Sequence, residues 1–346
     1  MKLYEIGSRT EKGSEKEHYE RNGDFCAWLE TEKYVILALA DGVGTCANDA
    51  EASQTTCEQF VEKCRQYLLS HSVMEEHVLC RFCEEIDPLL LNKAQKACFS
   101  AVAWNPNENK AVWIHTGDTR IYKYCLQTGM EQITQDDHGK AVFKKENGKL
   151  KTESGAVIAA IPIKAAIGDG NKKYHTGILE IQPDESLILC SDGMYNSPDF
   201  VHNVETALGS VKLNAAVAKF FFTHEDDATM LLLRRTDGYA QKWTVQELIN
   251  EIESLSPTIP RYVLLHRVGD AIQDVIDKDS QWEIVTKLVK LCDTRRLFIA
   301  SEQASDILNK AVKYYYSLPT DNTFKALLEG FILALQSYAD NARRFE

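Results

Sequence analysis

The chain has no run of about 18 apolar residues, the length a membrane-spanning helix needs, and its opening stretch, MKLYEIGSRTEKGSEK, lacks the apolar core of a signal peptide. These absences lead to the expectation of a cytoplasmic chain with no membrane span, whose ten cysteines are reduced thiols. A second CxxC pair at zinc-finger spacing is also missing. Cys80 and Cys83 form the one CxxC, and a structural zinc site takes four ligands, so buried free thiols are the preferred reading. Positive charge is in short supply. Lys and Arg number 39 against 51 Asp and Glu, for a net charge of −12. Such a chain repels polyanions, which argues against nucleic acid and anionic membranes as partners.

What is present is a chain of 346 residues with 44% hydrophobic and 26% charged residues, enough for two cores rather than one. YVILALA (34–40) and SLILC (186–190) are apolar runs of strand length, read as strands buried on both faces. Further strands are expected at 3–8, 25–30, 98–104, 111–116, 120–125 and 229–234. Helical spacing covers 50–69, 73–96 (with a break or kink at Pro88) and 198–222. Residues 134–175 read as a long irregular segment, of the kind that is usually functional. After Arg235 the texture becomes wholly helical, at 244–255, 261–277, 281–293, 301–317 and 321–342. The expected division is a domain at 1–236 and a helical one at 244–346.

Aspartates stand where these strands end or begin: Asp41-Gly42 after VILALA, Asp192-Gly193 after SLILC, Asp226 ahead of the last strand, and Asp118 between two strands in GDTR. A lone Asp-Gly is usually a turn. Several carboxylates brought to one end of a sheet repel one another unless a cation neutralises them. Oxygen-only donors suit hard divalent ions such as Mg²⁺ and Mn²⁺. Two such ions can lower the pKa of a shared water and direct it at phosphorus.

The ordered set Asn22-Gly23-Asp24, LADGVG (39–44), DAEAS (49–53), TGDTRIY (116–122), ITQDDH (133–138), AAIGD (165–169), LCSDGM (189–194) and DDATMLLLRR (226–235) resembles the type 2C metal-dependent serine/threonine protein phosphatases, in their bacterial branch, over about residues 1–235. The resemblance implies an α+β fold, a four-layer αββα sandwich of two antiparallel sheets flanked by helices, here followed by an all-α region. It implies two ions, Mg²⁺ or Mn²⁺, on Asp41, Asp192, Asp226 and the Gly42 carbonyl, with Asp24 beside them. Asp118 and Asp169 would take a third, weaker ion, and residues 139–168 would form a flap next to the substrate. The implied reaction is hydrolysis of phosphoserine or phosphothreonine by a metal-bridging water, without a phosphoenzyme, on a phosphoprotein that is a target of a Ser/Thr kinase.

The sequence departs from the family pattern at four positions. Gly23 stands where many members carry Glu or Gln. Tyr19 stands where a phosphate-binding arginine is usual, which leaves nearby Arg21 as the substrate-phosphate residue or as a solvated loop charge. Val43 replaces a histidine of animal members, and Thr45 replaces a glycine. His138 is read as a structural part of the motif near the flap, and His115 and His175 as structural. Two other readings compete with the phosphatase: a catalytically weak or inactive module of the same fold that binds a phosphoprotein, and a hydrolase of small phosphate esters. The C-terminal helices form a bundle with its own core or a docking or regulatory surface for a protein partner.

Overall fold

The structure is a computed structural model that describes residues 4–14, 21–46, 48–125, 128–137, 143–146, 149–152, 163–210, 213–219, 226–235, 244–254, 261–278, 281–299, 301–319 and 325–345. Its strands are β1 (Tyr4–Glu11), β2 (Asp24–Glu30), β3 (Val35–Gly42), β4 (Ala97–Asn105), β5 (Lys110–Thr116), β6 (Arg120–Cys125), β7 (Gly129–Gln132), β8 (Phe143–Glu146), β9 (Lys149–Thr152), β10 (His175–Glu180), β11 (Glu185–Cys190) and β12 (Ala228–Arg235). The helices are α1 (Asp49–Leu68), α2 (Glu76–Leu91), α3 (Asp192–Tyr195), α4 (Phe200–Leu208), α5 (Leu213–Val217), α6 (Val245–Glu253), α7 (Arg261–Lys278), α8 (Trp282–Thr294), α9 (Ser301–Ser317) and α10 (Lys325–Phe345).

The chain divides into two compact units, Met1–Val204 with Val217–Asp237, and Glu205–Ala216 with Gly238–Glu346. In the first unit, two five-stranded antiparallel sheets run in the orders β1-β12-β11-β6-β7 and β10-β5-β4-β3-β2, and β8 and β9 pair as a separate hairpin. The continuous apolar run of β3 follows from this layering. Val35, Leu37 and Leu39 face one core, shared with Leu187, Leu189, Leu231 and Leu233 of the other sheet. The alternate residues, Ile36, Ala38 and Ala40, face a second core built with Phe60 of α1 and Leu79 and Phe82 of α2. A strand covered on both faces needs no polar side. Beyond the other sheet, Phe200 meets the ring of Tyr122 at 5.6 Å. The layers are therefore those of an αββα sandwich.

Pro88 lies inside α2 and does not break it. It falls in the last turn, and only three residues of helix follow. The helix stops short of the expected Lys96 because Ala94 turns left-handed (φ 56°), while Gln95 N donates back to Leu90 O at 3.0 Å. The helical stretch expected over 198–222 divides into α4 and α5, with Gly209-Ser210 between them. The second unit holds α6–α10 around Trp282, whose ring meets Phe331 edge-on at 5.2 Å and stacks on Tyr314 at 6.1 Å. Thr244 and Glu247 close a capping box at the start of α6. Among the described residues, no helix is long and apolar enough to cross a membrane.

Candidate functional site

Strand pairing brings the aspartates to one end of the sandwich. Asp24 opens β2 and Asp41 lies near the end of β3, directly opposite each other in the antiparallel register. In the other sheet β11 ends at Cys190, paired with Met230 of β12 and with Arg120 of β6. Asp192 follows β11, Asp226 precedes β12 and Asp118 precedes β6, so all three leave the sheet at that same end. Like charges placed opposite each other across strands destabilise a sheet, so a cluster of this kind calls for a counter-ion.

The electrostatics bear this out. Burial, then the charges of Asp24, Asp192, Asp118 and Asp226, push the Asp41 carboxyl well above the usual range. Asp24 is pushed up to about 7, mainly by burial, with Asp227 and Asp192 adding to it and the Ser191 hydrogen bond opposing it. Asp192 is raised to about 7 by burial and by Asp118 and Asp226, and the nearby Arg120 works against the rise. Asp41 thus lies within the field of the four other predicted carboxylates Asp24, Asp118, Asp192 and Asp226.

Several residues that sequence reasoning passed over hold this end together. Ser191 Oγ donates to Asp24 Oδ2 at 2.5 Å and accepts from Thr229 N at 2.9 Å, tying β2 to β12. Asp227 is buried and accepts from the backbone N–H groups of Gly13 (2.9 Å) and Gly23. Arg120 makes a two-pronged pair with Asp136 (3.0 and 2.7 Å) and lies 3.5 Å over the Tyr195 ring. The Tyr195 hydroxyl donates to the Asp118 carbonyl at 3.1 Å. The doubled aspartates at 136–137 and 226–227 were the visible signal for two of these residues. Ser191 lay within the LCSDGM motif but was given no role, and nothing in the sequence marked Tyr195.

Gly42 is buried, and a Cβ there would collide with the Asp49 carbonyl, so the turn after β3 admits only glycine. Asp169 is engaged in its own turn. Oδ2 accepts from Ala166 N (3.1 Å) and Asn171 Nδ2 (3.2 Å), and Oδ1 accepts from Asn171 N (2.7 Å). Arg21 is exposed. Tyr19, His138 and residues 139–142, 147–148 and 153–162 of the expected flap lie outside the described residues.

His115 and His175 are not isolated. Their rings stack 6.1 Å apart. Burial lowers the His115 pKa to about 4, so the ring is neutral at pH 7. Its Nε2 faces the Gln135 carbonyl at 3.2 Å, which can only accept, so Nε2 carries the hydrogen. Nδ1 then accepts from Ser100 Oγ (3.1 Å), which in turn accepts from Thr119 Oγ1 (2.8 Å).

The donor set fits a hard divalent cation. Its groups are carboxylates, and among the described residues Asp24 Oδ1 is buried with no hydrogen-bond partner, a costly state that a cation would relieve. Among the described residues no three His, Cys, Asp or Glu side chains form a ready cage around one ion. Mg²⁺-like ions are commonly held by one or two carboxylates and keep several waters.

The chain is similar to several known proteins. The protein phosphatase 2C family profile matches residues 14–231. The serine/threonine phosphatase stp of Listeria innocua is 25% identical over 252 residues, covering 66% of this chain and 94% of that protein. Among solved structures, a C. elegans sex-determining protein superposes with a TM-score of 0.50 at 14% identity, over 67% of this chain and 65% of the other. The serine/threonine phosphatase of S. agalactiae gives 0.49 at 18% identity, over 67% and 99%.

Proposed function

The chain belongs to the protein phosphatase 2C family, and from that premise we propose that it hydrolyses phosphoserine and phosphothreonine in proteins, with Mg²⁺ or Mn²⁺ as cofactor. The observation that carries this reading is the convergence of Asp24, Asp41, Asp118, Asp192 and Asp226 at one end of the sandwich, where burial and neighbouring carboxylates disfavour the charged forms of Asp24, Asp41 and Asp192. The name of the Listeria innocua relative, serine/threonine phosphatase, supports the substrate class.

In this proposal Asp41, Asp192, Asp226 and the Gly42 carbonyl hold two ions, with Asp24 beside them. Asp118 and Asp169 are the ligands of a third, and Asp169 would have to release its local turn to reach it. Bound divalent ions supply a polarised water for attack on phosphorus and offset the phosphoryl charge. The chain's own part is positional. Ser191 orients Asp24 through a 2.5 Å hydrogen bond to Oδ2, and Asp24 Oδ1 is the oxygen left without a hydrogen bond among the described residues. Asp227 ties the Gly13 and Gly23 backbone to the foot of β12. Arg120, committed to Asp136, supplies a fixed positive charge that favours ionised Asp192. Arg21 is the substrate-phosphate residue of this reading, and the helical unit is its docking or regulatory part.

The competing reading is a phosphoprotein-binding module without turnover. It draws on Tyr19 standing where the family carries its arginine and on Gly23 standing where many members carry Glu or Gln. The two readings separate in a phosphate-release assay on the full chain with phosphothreonine, phosphoserine and phosphotyrosine peptides and p-nitrophenyl phosphate, in EDTA and in millimolar Mn²⁺ or Mg²⁺. The proposal expects metal-dependent release from the first two peptides and little from phosphotyrosine. Release from p-nitrophenyl phosphate alone would point to a small-ester hydrolase, and no release at all from folded protein would favour the binding module.

A further inference from the structure

Asp118 is carried by a three-residue turn between the two sheets, after β5 and before β6, and each residue of that turn is fixed by a different neighbour. On one side Gly117 (φ 93°) is held by Asp137 twice. Gly117 N donates to Asp137 Oδ2 at 3.3 Å, and Asp137 N donates to Gly117 O at 2.7 Å. On the other side the Thr119 hydroxyl is bound into the Ser100–His115–Gln135 chain. Below, the Asp118 carbonyl accepts from Tyr195.

Asp137 is itself held in place. It is 6% exposed, and its Oδ1 accepts from Lys173 Nζ and from His175 Nε2 (3.0 Å). Its carbonyl accepts from Lys164 N at 2.8 Å. Both carboxylate oxygens therefore face donors, and the orientation of Oδ2 toward Gly117 follows from Oδ1 being held by Lys173 and His175. The residues of this frame come from β4, β5, the turn after β7 and β10, spread along the chain from Ser100 to His175. An exposed hairpin turn needs no such support.

We propose that Asp137, oriented by His175, is a positioning residue for Asp118, setting that carboxylate for a divalent cation. The inference rests on the metallophosphatase reading above. Residues behind a ligand generally control its affinity by fixing its orientation, with losses of about 10- to 100-fold when they are removed. His175 lies at the margin of the frame, with its side chain 43% exposed, so it can be altered without opening the core. His175→Phe keeps an aromatic ring against His115 and removes the donor to Asp137. In His175→Gln the amide nitrogen stands near the place of Nε2 and keeps the donor.

The test is Mn²⁺ binding to the full chain without substrate, followed by the EPR signal of the free ion, in a cycle with Asp118→Asn. Expected is a roughly 10-fold loss of affinity in His175→Phe, recovery to within about threefold in His175→Gln, and no further loss when His175→Phe is added to Asp118→Asn. Asp137→Ala, where it folds, should match His175→Phe or exceed it. If His175→Phe binds Mn²⁺ like the wild type, or weakens it equally with and without the Asp118 carboxylate, the positioning role is wrong while the metal reading stands. If the wild type binds no Mn²⁺, the metal reading fails and takes this inference with it.

Discussion

Replacing Asp192 by asparagine should make the metal-free protein more stable. Asp192 follows β11 at the crowded end of the sandwich, and burial together with Asp118 and Asp226 raises its pKa from 3.8 to about 7. A carboxyl raised on folding binds its proton more tightly in the native state than in the unfolded chain. Its contribution is therefore fully present below about pH 4 and is lost as the pH climbs to 7. A single group shifted this far corresponds to roughly 4 kcal/mol. Because Asp24 and Asp41 share the same field, about 2 kcal/mol is a fair portion for one substitution. For a unit of this size that raises Tm by about 4–8 °C. The assay is thermal unfolding in EDTA at pH 8 and at pH 5. Asp192→Asn should melt higher than wild type at pH 8, with the gap closing at pH 5, where the wild-type carboxyl is already protonated. In saturating Mn²⁺ the order should reverse, because the wild type gains binding energy that the variant lacks. A variant that melts at or below wild type in EDTA at pH 8, or one whose advantage is the same at pH 5, would refute the reasoning.

Three other substitutions probe the supports. Asp227→Ala removes the acceptor for the Gly13 and Gly23 N–H groups and should cost about 3 kcal/mol, read as a lower urea midpoint. Arg120→Met takes away the partner of half-buried Asp136 and the cation over Tyr195. A loss of about 2–4 kcal/mol is expected, along with a further upward shift of the Asp192 pKa, measurable by carboxyl-directed NMR titration. Tyr338→Phe deprives Leu297 O and Ile299 N of the phenol that each meets at 2.7 Å. It should destabilise the helical unit by about 2–3 kcal/mol while phosphate release by the folded protein stays unchanged.

Much of the sandwich was legible because its central strands are buried on both faces. YVILALA and SLILC carry no polar side, and no solvent-facing element of that length would tolerate the pattern. Of the four edge strands, β1 and β2 were expected at 3–8 and 25–30, while β7 and β10 were not legible, for the opposite reason. β10, HTGILE, leaves Ile178 exposed and includes Gly177, and β7 is four mostly polar residues. The β8–β9 pair fell within a stretch read as irregular, although the Asn147-Gly148 between them is a hairpin signal. At the site, spacing relative to strand ends marked Asp41, Asp118 and Asp192, since register carries a strand end to a fixed place. Asp227, Asp137 and Tyr195 could not be found in this way. Their roles depend on which backbone groups they meet across the fold, at separations of 214, 20 and 77 residues. His115 and His175 looked isolated in sequence, and antiparallel pairing of β5 with β10 sets them opposite each other.

The most direct test of the account is phosphate release from a phosphothreonine peptide by the full chain as Mn²⁺ is titrated from EDTA upward, beside Asp41→Asn at equal concentration. Expected are no release in EDTA, a saturable rise with Mn²⁺ in the wild type, and a loss of at least about 100-fold in folded Asp41→Asn. Release that persists in EDTA, or that survives in Asp41→Asn at the wild-type rate, would contradict it.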